Sequence, residues 1–203
     1  MNDHREAWLQ KARIDYFAPF ISLWLACNSW YRAHYSEMSN ATDRAFINKL
    51  KTDVSGRNHL YTQFKNLLKG DQTRKDIAFK ANLEMLHHSL TRANIKPERL
   101  LYPCSFTRFL IDYGRKDHAD GYVNIICNPK ILKSGKLSSS DQGRVYRLDE
   151  IYITSDLDCV FSGLIETIYQ IRNMVIHGYV RPEKDEHEVV KYCYLILADL
   201  LRI

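Results

Sequence analysis

Arg172, Asn173 and His177 fall within little more than one helical turn in the run Ile171-Arg172-Asn173-Met174-Val175-Ile176-His177-Gly178-Tyr179. An arginine supplies a fixed cation for a phosphate, and a histidine moves protons near neutral pH. Together they are the groups that metal-free RNA cleavage requires. Spacing alone is not specific. Fifteen Arg and eight His in 203 residues give about 0.6 matches to Arg-x4-His by chance, so the surrounding pattern has to carry the reading.

That pattern is a helix with a readable start and stop. Asp156 and Asp158 precede Val160, Leu164, Ile165, Ile168, Ile171, Val175 and Ile176, which recur at spacings of three and four. This is the signature of an amphipathic helix with one buried stripe. The acidic start suits the positive end of the helix dipole, and Gly178 suits the residue just past the last turn. Arg172 and Asn173 lie off the stripe. Asn173 and His177 are four apart and share a face, with Arg172 one position to the side. Arg172 and His177 lie about 7.5 Å apart along the axis, within reach of a long arginine side chain.

The segment Tyr169-Gln170-Ile171-Arg172-Asn173-Met174-Val175-Ile176-His177-Gly178 resembles the signature helix of the HEPN superfamily, in which an Arg and a polar residue precede a His by four to six spacers. The resemblance covers residues 156–202, the motif helix and the helix after it. It implies a helical bundle, a metal-independent endoribonuclease activity without cofactor, and a homodimer. Arg172, Asn173 and His177 match the motif residue by residue. Tyr179 extends it to Arg-x4-His-x-Tyr, similar to HEPN toxins whose nucleotidyltransferase antitoxin modifies the tyrosine. The middle of the chain is longer than a minimal HEPN domain.

Cleavage through the 2′-hydroxyl needs a base for that proton and an acid for the leaving 5′-oxygen. One motif carries one histidine. A two-fold dimer with motif helices face to face would supply two, with Arg172 and its mate stabilising the added phosphate charge. The same residues also suit two other classes. One is a non-catalytic HEPN-type module that binds a nucleotide or nucleic acid. The other is an interaction protein whose motif helix is a dimer seam. Each motif residue has an ordinary role as well: His177 as a last-turn cation, Arg172 as half of an ion pair, Asn173 as a solvent-facing residue and Tyr179 as packing.

The other elements that must position this helix are mostly helical. Helices are expected from Asp3 to Arg13, onward to Tyr35, from Thr42 to Lys51, from His59 to Leu68 and from Arg74 to Ala93. The second, with Phe17, Phe20, Trp24, Cys27, Tyr31 and Tyr35, reads as apolar nearly all round and so as the central buried helix. A closing helix should start at Pro182 and pack antiparallel to the motif helix, because the connection is short. Residues 103–155 read as an excursion. It contains a short helix from Phe106 to Ile111 and two strands, at residues 121–126 and 145–148. A polar loop joins these strands, and Lys130, Lys133, Lys136, Arg144 and Arg147 in and beside it are candidate RNA contacts. A solvated, mobile loop explains them as well.

The whole is expected to be a mainly α, single HEPN-like domain. The apolar fraction of 45% and aromatic fraction of 12% exclude a disordered chain, and the net charge of +5 permits nucleic-acid binding without demanding it. Five scattered cysteines without a Cys-x-x-Cys pair suggest reduced thiols in a cytoplasmic protein. The aromatic-rich run from Tyr16 to Tyr31 is too short to span a bilayer, and the mixed charges of Asp3, Arg5 and Glu6 do not suit a signal peptide. His87-His88 and Asp117-His118-Ala119-Asp120 form no closed set of metal ligands by spacing, so no metal is expected.

Overall fold

The computed structural model describes residues 14–70, 73–93, 125–127, 129–180, 182 and 184–202. Six helices are present among them: α1 (Phe17–His34), α2 (Asp43–Thr52), α3 (His59–Lys69), α4 (Arg74–Ala93), α5 (Leu157–Ile176) and α6 (Lys184–Leu201). A small antiparallel sheet lies between α4 and α5 in the chain: β1 (Ile126–Cys127), β2 (Val145–Arg147) and β3 (Tyr152–Thr154). The protein is mainly helical. The helices expected before Arg13 and from Phe106 to Ile111 lie outside the described residues, as does the Asp117–Asp120 cluster.

Local chemistry explains the helix starts. The side chains of Thr42 and Asn58 accept the Ala45 and Tyr61 amide hydrogens ahead of α2 and α3. Asp156 accepts the Cys159 amide hydrogen at 3.1 Å ahead of α5. Each satisfies an amide that the first turn leaves without a partner. Pro19 sits in the first turn of α1, where its missing N–H costs nothing.

The centre of the bundle is the motif helix. Residues 161–169 of α5 are buried without interruption, and α5 touches α1, α2, α3, α6 and β3. Helix α1 is one-sided instead. Phe20, Leu23, Trp24, Cys27 and Tyr31 face the core, while Leu25 is 58% exposed. Its aromatics make it look apolar all round, but they follow one helical stripe. The closing helix begins at Lys184, two residues past Pro182. It packs most extensively against α4 and α1 and only slightly against α5. The short connection therefore did not make α5 its main neighbour.

The sheet has three strands with β3 in the middle, paired with β1 at Ile126–Ile153 and with β2 at Tyr146–Ile153. β3 was not expected from sequence. It is three residues long and runs almost directly into the α5 cap, so its alternation is brief. Ile153 is its buried residue, and it packs with Leu83, Leu86, Val160 and Leu164 where α4 and α5 meet the sheet.

Candidate functional site

The last turn of α5 closes with hydrogen bonds from Gly178 N–H to Val175 C=O (3.1 Å) and from Tyr179 N–H to Met174 C=O (2.8 Å). This pairing is a Schellman ending, and it needs a left-handed residue at Gly178, whose φ is +70°. His177 is the last residue before that glycine and is exposed, as is Tyr179 at 42%. Their rings lie 6.1 Å apart. The solvent-facing tip therefore carries an imidazole and a phenol side by side, next to a half-exposed Ile176.

Arg172 goes the other way. Its side chain is only 17% exposed and runs toward α1 and α2. The guanidinium lies 5.4 Å from the centre of the Trp24 ring, and Nη1 stands 3.5 Å from Asp43 Oδ2. The same Nη1 donates to Asn173 Oδ1 at 2.7 Å. Nε is buried with no hydrogen-bond partner among the described residues. Arg172 and Asn173 are thus joined by a side-chain hydrogen bond. No hydrogen bond or ion pair joins Arg172 to His177 among the described residues.

Asp43, in the first turn of α2, organises this corner. Its carboxylate accepts hydrogen bonds from the Tyr31 hydroxyl and the Asn28 amide, and it stands 3.7 Å from Arg32 Nη2. Burial, and then the bond to Asp43, push the Tyr31 hydroxyl well above its ordinary pKa, so it remains a proton donor. Burial and then the Asp43 charge push the nearby Cys27 thiol up to about 12, which leaves it protonated and unreactive.

Nearly two turns earlier on α5, α2 and α5 share a second charged contact. Glu166 is buried and accepts from Arg44 Nη1 at 2.6 Å, Lys51 Nζ at 2.8 Å and Gln170 Nε2 at 2.7 Å. Burial favours the protonated acid, but the Lys51 charge and the bonds from Arg44, Lys51 and Gln170 outweigh it and hold the carboxyl below its ordinary pKa. Glu166, Gln170, Asn173 and His177 follow each other at spacings of four, three and four, so they form one polar stripe leading to the motif. Sequence reading missed Asp43, Tyr31 and the Glu166 cluster. The available signal was Glu166 itself, the one charged residue between Asp158 and Arg172 in a largely apolar stretch of the helix, since such a charge must find a partner.

The basic segment lies elsewhere. Lys130, Lys133, Lys136, Arg144 and Arg147 are all exposed. Arg144 shares a surface recess with Asp141, Thr154 and the cap residue Asp156. That is the N-terminal end of α5, about 30 Å along the helix from His177. The loop is also more structured than its composition suggests. Asp141 accepts from the Lys130 amide (2.9 Å) and the Ser138 hydroxyl (2.7 Å), and Ile131 bridges Leu137. Within one chain, these cations and the motif do not form a common surface.

No family model, characterised protein or solved structure matches this chain. Among the described residues no helix is long and apolar enough to cross a membrane.

Proposed function

We propose that this protein is a metal-independent endoribonuclease of HEPN type, acting as a homodimer in which two motif helices complete one site. The supporting observation is the division of labour at the end of α5. An exposed imidazole sits on a conformationally closed tip, and behind it Asn173 and Asp43 hold a guanidinium in place.

In this reading His177 of one subunit takes the 2′-hydroxyl proton, and the second copy protonates the departing 5′-oxygen. Arg172 stabilises the charge gathered on the phosphorus oxygens, and Asn173 fixes the guanidinium orientation. The products are a 2′,3′-cyclic phosphate and a 5′-hydroxyl. Tyr179 stands beside His177, where adenylylation by a nucleotidyltransferase antitoxin would place phosphate charge at the mouth of the site and repel substrate. The exposed cations between Lys130 and Arg147 would serve as a separate landing surface for RNA.

Cleavage of a defined RNA by purified protein in excess chelator tests the reading, with 2′,3′-cyclic phosphate ends as the expected product. Wild-type cleavage by both His177→Ala and Arg172→Ala would end it.

One observation favours a second reading. Arg172 is mostly buried against Asp43 and Trp24, which suits a structural arginine in a non-catalytic nucleotide-binding or dimerising module. That module would bind RNA or a second copy of the chain without cleaving anything.

A further inference from the structure

We infer that Glu84, His88 and Glu150 form a binding site for a divalent transition-metal ion of the zinc class, which fastens the β2–β3 turn to α4. The inference is independent of the ribonuclease reading. It concerns the sheet end of the bundle, and the ion takes no part in the proposed chemistry.

Glu84 and His88 are one turn apart on α4 and so project from one face of the helix. The turn between β2 and β3 delivers Glu150 to the same place. One ligand atom from each residue lies within 4.8 Å of the others. His88 Nε2 is 3.7 Å from Glu84 Oε1 and 4.0 Å from Glu150 Oε2. Both gaps are too long for hydrogen bonds. Donors about 2.1 Å from a tetrahedral zinc ion stand about 3.4 Å apart, so seating the ion takes a contraction of about 0.3 and 0.6 Å at the two His88 gaps and of up to about 1.4 Å at the Glu84–Glu150 gap. Glu150 is 79% exposed and can swing inward to make it.

Glu84 is the fixed member. It is buried, and its Oε2 and Oε1 accept the Asp149 and Glu150 amide hydrogens at 2.6 and 2.7 Å. Each carboxylate oxygen has a further lone pair, and that of Oε1 remains available toward His88. The two backbone bonds orient the carboxylate, as outer contacts orient metal ligands generally.

Charge supplies the second argument. Among the described residues Glu84 has no Lys or Arg partner, and a second carboxylate faces it across His88. A buried carboxylate is costly, and two carboxylates are balanced by a divalent ion, which the imidazole ligates in its neutral form. The imidazole selects the ion, because magnesium and calcium prefer all-oxygen sites whereas zinc accepts mixed nitrogen and oxygen donors. With three protein ligands the remaining position is left to water.

Full-length protein stripped with chelator, then titrated with Zn2+ by calorimetry and with Co2+ by absorption, tests the site. One equivalent of Zn2+ should bind with micromolar affinity or better and raise the thermal midpoint. The Co2+ spectrum should show d–d bands without thiolate charge transfer, which separates this site from the cysteines. His88→Gln and Glu150→Gln change half-exposed and exposed side chains, so both should keep their helical circular dichroism while weakening Zn2+ binding at least tenfold. Affinity weaker than about 100 µM, thiolate charge transfer, or a loss below tenfold in either variant would overturn the proposal.

Discussion

Arg172 and Asp43 face each other across the α5–α2 contact with 3.5 Å between Nη1 and Oδ2, and Trp24 lies against the guanidinium. Arg172 is therefore part of the packing whatever else it does. A substrate phosphate reaching it would meet a cation already shared with Asp43 and Asn173. This separates Arg172 from His177, which is exposed, and the separation can be measured.

Arg172→Ala should lower stability by about 1–3 kcal/mol, because Asp43 loses a charged partner and Trp24 its stacked cation. Asp43→Asn should cost a similar amount through the Tyr31 and Arg172 contacts. Chemical denaturation of the purified variants checks both. A change below about 0.5 kcal/mol in each would show that the contact contributes nothing measurable.

His177→Ala should leave stability within about 0.5 kcal/mol of wild type. On the ribonuclease reading it lowers the cleavage rate by about 10²–10⁴-fold, the usual loss for one acid–base group. Single-turnover cleavage at a temperature where both proteins are fully folded separates the two effects. A His177→Ala protein that unfolds early would make this histidine structural.

Glu166→Gln should be the most damaging of these substitutions, at about 3–5 kcal/mol, because it leaves Lys51 buried without its counter-charge. The same carboxyl predicts a pH dependence. Its folded pKa is lowered from the ordinary value of 4.5, so its contribution is fully present above that value and fades as pH falls through the lowered pKa. Denaturation midpoints of wild type should therefore drop below about pH 4.5 more steeply than those of Glu166→Gln. Parallel profiles would contradict the assignment.

Gly178→Ala has open space around the new methyl but puts an L-residue at φ +70°. A cost of about 1–2 kcal/mol is expected, arising from backbone strain alone. Thermal unfolding reads it, and Gly178→Asn should recover part of the loss because Asn tolerates the left-handed region better.

Tyr179→Phe should be neutral to stability, since the ring is 42% exposed. On the toxin reading it stays active and escapes inhibition by a nucleotidyltransferase partner. Intact mass after co-expression decides: an unmodified Tyr179 on a fully inhibited protein would remove the regulatory role.

The sequence by itself determined where the helices run and how the motif helix begins and ends. These are local matters: Thr42, Asn58 and Asp156 cap the turns that follow them, and Gly178 is the one residue type that takes φ +70° without strain. Apolar spacing also placed Phe20, Trp24, Cys27 and Tyr31 in the core. What only tertiary structure decided is which faces meet. Asp43 joins Arg172 across 129 residues of chain, Glu166 reaches Arg44 and Lys51 across more than a hundred, and Glu150 arrives beside His88 from a separate turn. No periodicity encodes such pairs. They follow from the docking of α2 onto α5 and of the β2–β3 turn onto α4, where a charge left without a partner would cost more than the contact gains.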